Sequence, residues 1–249
     1  MKKFLILYSY YEYNNSISNL EFFLKNAYIE SNDYQFIITI NGYNCSVEIP
    51  EKNNIKVIKR KNTGYDFGGW SESLKSVHFY NYDYFIFINS TCIGPFIPRY
   101  TPKNLTWCDL FVSKLDNDHK LCGPTINYLK NNKISDIKHI QSFAYGTDTI
   151  GLNLLLKNGI FDVNDDIQRK ELIINHEIGM SKVILNNNYK LFAFQLSENK
   201  NSKMDEKHHD DIHYNGKYYN DTINPMEVMF VKINRINTPT LINYINWSE

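Results

Sequence analysis

No CxxC pair occurs in this chain of 249 residues: its four cysteines, Cys45, Cys92, Cys108 and Cys122, lie scattered along it. Such spacing points to neither a disulfide framework nor a zinc ribbon, and reads as reduced thiols in the cytoplasm. Net charge is lacking as well. Lys+Arg and Asp+Glu both number 27, which leaves no basic footprint for a nucleic acid. No apolar run reaches the ~18–20 residues that cross a bilayer. The opening MKKFLILYSYYEY imitates a signal peptide, but its apolar run is short, Glu12 follows, and no small-residue cleavage site appears. A first core strand is expected there, and the Asn-x-Ser/Thr triplets, such as that at Asn89, are expected to stay unglycosylated. No Pro/Gly/Ser-rich linker and no internal repeat divides the chain, so one domain over 1–249 is expected.

What is present is an alternation of strand and helix patterns. Phe4–Tyr8, Tyr34–Ile40 and Ile55–Ile58 read as strands, with helical periodicity over Ile17–Tyr28 (Leu20, Phe23, Leu24, Ala27). The stretch Lys56–Pro98 organises the rest: a strand, a glycine-rich turn, a helix from Trp70 to Val77, the apolar strand Tyr84–Ile88 (YFIFI) and a polar turn. A continuous apolar run of that length fits a strand covered on both faces. The alternation predicts an α/β fold with a mixed, mostly parallel sheet flanked by helices and joined by right-handed crossovers. Ligands of such sheets bind beyond the carboxyl ends of the strands, and that edge carries Asn89, Ser90 and Thr91. Beyond Pro98 the pattern gives a helix over Leu105–Leu115, a strand over Lys120–Asn127 broken at Gly123-Pro124, and a strand over His139–Tyr145. A helix over Thr149–Asn158, capped by Thr147 or Asp148, and a long helix over Glu171–Asn187 follow. Strands over Tyr189–Gln195 and Val228–Lys232 flank a polar loop, Lys200–Lys217.

Four segments carry candidate chemistry. In Asn62-Thr63-Gly64-Tyr65-Asp66-Phe67-Gly68-Gly69 the glycines let backbone approach a ligand, and the N–H groups opening the next helix face an anion. Asp66 there suits a ribose hydroxyl or a base N–H. The same residues also suit an ordinary strand-to-helix turn, and the pattern is neither G-x-G-x-x-G nor a P-loop. Asn89-Ser90-Thr91 offers neutral oxygens, weak ligands for a hard cation, and fits strand-end capping as well as ligand contact. Glu177, beside His176, is either a solvated helix carboxylate or, facing a cleft, a base for a hydroxyl. The stretch Asp205–His213 (DEKHHDDIH) has the composition of a zinc or manganese site but no template spacing. A solvated loop is the favoured reading, and metal binding the alternative, with His213 as its best-placed ligand.

In this order the segments resemble a GT-A-type glycosyltransferase and, more narrowly, the rhamnan-synthesis (RgpF-like) proteins. KNTGYDFGGW is similar to that family's Asn-x-Gly-x-Asp-x-Gly-Gly turn, and FINSTCIGPF to its Asn-Asp/Ser-Ser/Thr-x-x-Gly-Pro-Phe segment. HIQSFAYGTD resembles its His-x-Gln-Ser-Phe/Tyr segment, and ELIINHEIGMSKVILNNNYKL its Tyr/His-Glu-x-Gly-x-Ser helix. KNGIFD at Lys157–Asp162 is similar to a Gly-Gly-Phe-Asp segment just before that helix.

The resemblance implies a GT-A-like domain with a nucleotide-sugar-binding half over 1–98, an acceptor and catalytic half over 99–235 and a tail over 236–249. It implies donor contacts from Tyr8, Asn62, Gly64, Asp66, Gly68, Gly69, Asn89, Ser90 and Thr91, and acceptor contacts from His139, Gln141, Ser142 and Asp148. Glu177 falls on the base, His176 replaces a first acid, and Arg60 and Lys232 fall near phosphate. The chain departs from the broader pattern by lacking a carboxylate pair at the strand end. That leaves dependence on Mn2+ or Mg2+, with His213 as candidate ligand, an open expectation. Without the ion, Lys59, Arg60, Lys61, Arg99, Lys232 or Arg235 would offset the leaving diphosphate. The implied activity moves a sugar, by family rhamnose or another deoxysugar, from a nucleoside diphosphate to a glycan or other hydroxyl acceptor by inverting displacement. An inactive nucleotide-sugar- or glycan-binding module of the same fold is the alternative. A nucleotidyltransferase would need a glycine-rich basic loop where this chain has SYYEYNN.

Overall fold

The computed structural model describes residues 2–131, 134–196, 211–236 and 238–248. In chain order the first half holds β1 (Phe4–Tyr11), α1 (Ser16–Ala27), β2 (Tyr34–Asn41), β3 (Ile55–Arg60), α2 (Tyr65–Lys75), β4 (Tyr84–Asn89) and β5 (Cys92–Ile93). Then come α3 (Trp107–Phe111), β6 (His119–Gly123), β7 (Ile126–Asn131), β8 (Ile134–Ile140), β9 (Ala144–Asp148) and α4 (Thr149–Lys157). Helices α5 (Arg169–Leu172) and α6 (Ile178–Asn186) are joined by the π-turn Ile173–Glu177. The chain then runs through β10 (Lys190–Ala193), α7 (Pro225–Val228), β11 (Val231–Lys232) and α8 (Thr238–Ser248).

Seven strands form one sheet in the order β10-β6-β9-β4-β1-β2-β3. Strands β3, β2, β1 and β4 pair in parallel, as do β10 and β6, whereas β9 is antiparallel to both of its neighbours. The fold is therefore the expected α/β class, with a mixed and mostly parallel sheet. Since β4 pairs with β9, the two sequence halves share a single sheet.

Successive side chains of a strand alternate between its faces, and both faces of β1 are covered, so it is buried from Phe4 to Tyr10. Phe4, Ile6, Tyr8 and Tyr10 enter one core layer with Phe23 of α1 and Phe111 of α3, while Leu5 and Leu7 enter the other with Phe67 and Trp70 of α2. Trp70 is fully buried, and its indole N–H donates to the carbonyls of Leu7 and Ile88 at 3.2 and 3.3 Å, which pins α2 across β1 and β4. Helix α2 also lies close on the sheet. A Cβ at Gly69 would stand 2.5 Å from Ser9 Oγ and 3.0 Å from Asn41 Nδ2, so this glycine is required by helix–sheet packing. One turn on, Ser73 meets Thr39 at 2.6 Å between their hydroxyls.

Several local expectations change. Helix α2 opens at Tyr65, not Trp70, so Asp66, Gly68 and Gly69 lie in its first turns and not in the turn before it. The segment His139–Tyr145 is not one strand: β8 ends at Ile140, β9 begins at Ala144, and Gln141, Ser142 and Phe143 form a break between them. The backbone groups of this break turn outward to other elements, with Gln141 N–H donating to Thr125 O and Phe143 O accepting from Asn89 N–H. Val228 closes the short helix α7, whose cap is Asn224 with Pro225 in the first turn. The long helix expected over Glu171–Asn187 is interrupted by the π-turn, a feature frequent at functional sites. The tail carries α8, whose Leu241 is buried in a satellite cluster with Phe96 and Val231.

Gly94 brings the carboxyl-terminal part of the chain to the sheet edge. A Cβ there would meet Met229 O at 2.4 Å and the Phe230 ring at 2.5 Å. That close approach lets β11 pair with β5, with Lys232 opposite Cys92 just beyond the end of β4.

Candidate active site

Five segments meet beyond the carboxyl ends of β1 and β4: the start of α2, the end of β4, the break 141–143, the π-turn, and the return through Asp211–Arg235. Asp66, in the first turn of α2, accepts a hydrogen bond on Oδ2 from Asn89 Nδ2 at 2.8 Å. Its carboxyl is pushed up to about 6, first by burial, then by the charge of Glu177, against the Asn89 hydrogen bond and the cations Lys232 and Arg169. Asp66 nevertheless keeps some exposed surface. Asp66 is thus a densely surrounded carboxylate that solvent still reaches.

Glu177 closes the π-turn and is half-buried, with Oε1 at 3.4 Å from the Ser142 backbone N–H, a long contact. Lys232 is lowered by burial, while Glu177, Cys92 and Asp66 favour its charged form. Arg235 is likewise lowered by burial and favoured by Glu177. Acids and bases from both sequence halves thus share one neighbourhood.

Asn89 is fully engaged. Its Oδ1 accepts from Thr91 N–H at 3.0 Å and from Thr91 Oγ1 at 2.6 Å, while its Nδ2 serves Asp66. Ser90 Oγ donates to Tyr11 O and accepts from Tyr11 N–H, both at 3.2 Å. These neutral, occupied groups do not fit a hard divalent cation, and among the described residues no cluster of three or more His, Cys, Asp or Glu side chains is arranged to hold one. His213 is fully buried, its Nδ1 3.2 Å from Asp211 Oδ1, and its Nε2 has no partner among the described residues. Burial, and then Lys232, push it down to about 3, so the imidazole is neutral. Residues 205–210 of the DEKHHDDIH stretch lie outside the described residues.

The remaining expected residues divide. Gln141 and Ser142 stand at the site, and His139 is buried in β8 just before them. Asn62 is exposed on the turn. Gly64, with φ +66°, caps α2, and a Cβ at Gly68 would meet Thr63 O at 2.3 Å, so both glycines serve the turn itself. Arg60 is bound to Asn41 Oδ1 at 2.7 Å and to Thr63 O and Oγ1 at 2.9 Å, beneath that turn. Tyr8 is sealed in the core, its hydroxyl without a partner among the described residues. His176 points away from the cleft, its Nδ1 2.8 Å from Ile160 O and its ring against Phe67. Asp148 lies at the opposite edge, where it caps α4 through Gly151 N–H at 2.9 Å and pairs with the buried Lys120 at 2.6 Å. Arg99 donates to Trp247 O at 3.0 Å on the surface.

A family model described as rhamnan synthesis protein F matches residues 49–246, well over half of the chain. The chain belongs to the rhamnan synthesis protein F family. The match takes in the start of α2, the end of β4, the break 141–143, the π-turn and the Asp211–Arg235 return, so all five segments fall within the family region. No curated protein matches the chain. Among solved structures it is similar to a complex titled mannosyltransferase PcManGT from Pyrobaculum calidifontis with GDP-Man and Mn2+, at 8% identity and a TM-score of 0.47. The likeness covers 77% of this chain and 54% of that one, so the chain spans about half the length of that structure.

Two further residues of the candidate site carry no clear signal in the sequence. Arg169 opens α5 and acts on the ionisation of Asp66, Lys232 and Arg235. Asp211 gathers Gln141, His213 and Arg235. The Asp-x-His spacing of Asp211 and His213 was the one signal available for the second, hidden within a run of similar residues. No local signal distinguishes Arg169 from a solvated helix cation.

Proposed function

We propose that the protein transfers a sugar from a nucleoside-diphosphate donor to a hydroxyl acceptor on a GT-A-like frame. The observation that carries this reading is a geometric one: Asp66 bound to Asn89, Glu177 against the Ser142 N–H and Lys232 paired opposite Cys92 all stand beyond the end of β4, where ligands of open α/β sheets bind. Family membership supports polysaccharide synthesis as its setting.

In the reaction Glu177 accepts the acceptor's proton as that oxygen attacks the anomeric carbon. The bond from that carbon to the diphosphate oxygen breaks, and the nucleoside diphosphate leaves with the electron pair. Lys232 and Arg235 hold the charge that develops there, a low-dielectric setting in which fixed cations act strongly. Asp66 faces a ribose hydroxyl or base N–H, and the exposed ring of Tyr11, tied to Ser90 through its backbone, borders the donor side. No step is assigned to a divalent ion, since the strand end does not fit one.

The occupied, carboxylate-free strand end also suits the alternative, a nucleotide-sugar-binding module without turnover. Incubation with a panel of nucleotide sugars, reading release of nucleoside diphosphate, separates the two. Wild-type protein is expected to release diphosphate, and Glu177→Gln to lose about 10²–10⁴-fold in rate while still binding the donor. A variant as active as wild type would remove Glu177 from the role, and absence of release with any donor and acceptor would favour the binder.

A further inference from the structure

The carboxylate that organises the cationic side of the cleft is Asp211. Its Oδ2 pairs with Arg235 Nη1, accepts from Gln141 Nε2 at 2.9 Å and stands 4.0 Å from Lys232 Nζ. Its Oδ1 accepts from His213 N–H at 3.1 Å and lies 3.2 Å from His213 Nδ1. Gln141 is itself braced, its Oε1 accepting from Thr125 Oγ1 at 2.6 Å. Asp211 is thus gripped by the acceptor half and by its own loop, and it in turn grips both cations.

Further contacts fix the cations' directions. Arg235 N–H donates to Lys232 O at 3.1 Å, so one turn presents both side chains together. The guanidinium lies over the Tyr214 ring at 4.9 Å, and Lys232 Nζ lies 5.2 Å from the Phe143 ring, whose other neighbour is the edge-on His213 ring at 5.0 Å. The pair with Asp211 engages Nη1 of a group that carries five donors, so the same guanidinium can hold a second anion. Long Lys and Arg side chains otherwise lose much rotamer freedom when they close on a ligand.

We propose that Asp211 is a positioning residue that pre-sets Lys232 and Arg235 for the diphosphate of the donor. This rests on the glycosyl-transfer reading above. The proposal makes a prediction of unusual sign. Removing a negative charge beside an anion site should tighten anion binding by simple electrostatics, whereas loss of a positioning group should weaken it.

The test is calorimetric titration of GDP, UDP and dTDP into wild-type protein and Asp211→Asn. At a temperature where the ligand-free variant is folded, the nucleotide that wild type binds should bind Asp211→Asn about tenfold or more weakly. In an Arg235→Met background the same substitution should add only a small further loss, which a general structural defect would not produce. Equal or tighter binding by Asp211→Asn overturns the proposal and leaves the transfer reading standing. Binding of none of the three by wild type sinks the transfer reading itself. Should Asp211→Asn fail to fold, Gln141→Met removes one brace and no charge. It should weaken binding by about threefold, and unchanged affinity there contradicts the proposal.

Discussion

Asn89, at the end of β4, donates its side-chain amide to Asp66, at the start of α2, at 2.8 Å. The contact closes the gap between the central strand and the helix that follows the glycine turn. It also favours the ionised form of a carboxyl that burial and Glu177 hold up at about 6. A raised folded-state value means the native protein binds this proton more tightly than the unfolded chain. The resulting stabilisation is fully present below the ordinary carboxyl range and is lost as pH rises through about 6.

Asp66→Asn should therefore gain on wild type as pH rises. Urea unfolding at about pH 4.5 and about pH 7.5 is expected to show the stability difference moving toward the variant by on the order of 2 kcal/mol. A difference independent of pH would show that Asp66 titrates as an ordinary carboxyl.

Asn89→Asp places a second carboxylate against the first and frees the strand end to hold a hard cation. At neutral pH the variant should lose about 1–3 kcal/mol of stability, and millimolar Mn2+ or Mg2+ should restore part of it. Thermal melts with and without the ion check this. Equal stabilisation of wild type by the ion would contradict the reading of Asn89 as a fully engaged amide.

Gly69→Ala should cost about 1–3 kcal/mol by overpacking. The new methyl group would sit 2.5 Å from Ser9 Oγ and 3.0 Å from Asn41 Nδ2, both of them buried and held by hydrogen bonds. A chemical denaturation midpoint equal to wild type would show that α2 can lift off the sheet without penalty.

The centre of the sheet was legible because β1 and β4 carry apolar runs. YFIFI in β4 and FLILY in β1 have the length and the β-branched and aromatic content of strands covered on both faces, and Asn89 to Thr91 follow directly at the end of β4. The glycine turn was legible as a turn but not in its purpose. Gly68 and Gly69 read as room for a ligand, whereas the space is filled by Thr63, Ser9 and Asn41, which only three-dimensional packing reveals. His176 and Glu177 show the same limit, because the π-turn sends neighbours in sequence to opposite sides, one to Ile160 O and the other to the cleft. The cluster of Asp211, Lys232 and Arg235 with Gln141 depends on the Gly94 approach and on the 141–143 break. Neither leaves a periodicity to read.

The most direct test of the account is a thermal-shift screen of GDP, UDP and dTDP against wild type and a Lys232→Met/Arg235→Met double variant. A nucleotide at a hundred times its dissociation constant adds about 2.7 kcal/mol of stability. The account predicts a clear upward shift with one nucleotide for wild type and its loss in the double variant. No shift with any nucleotide, or the same shift in the double variant, would contradict it.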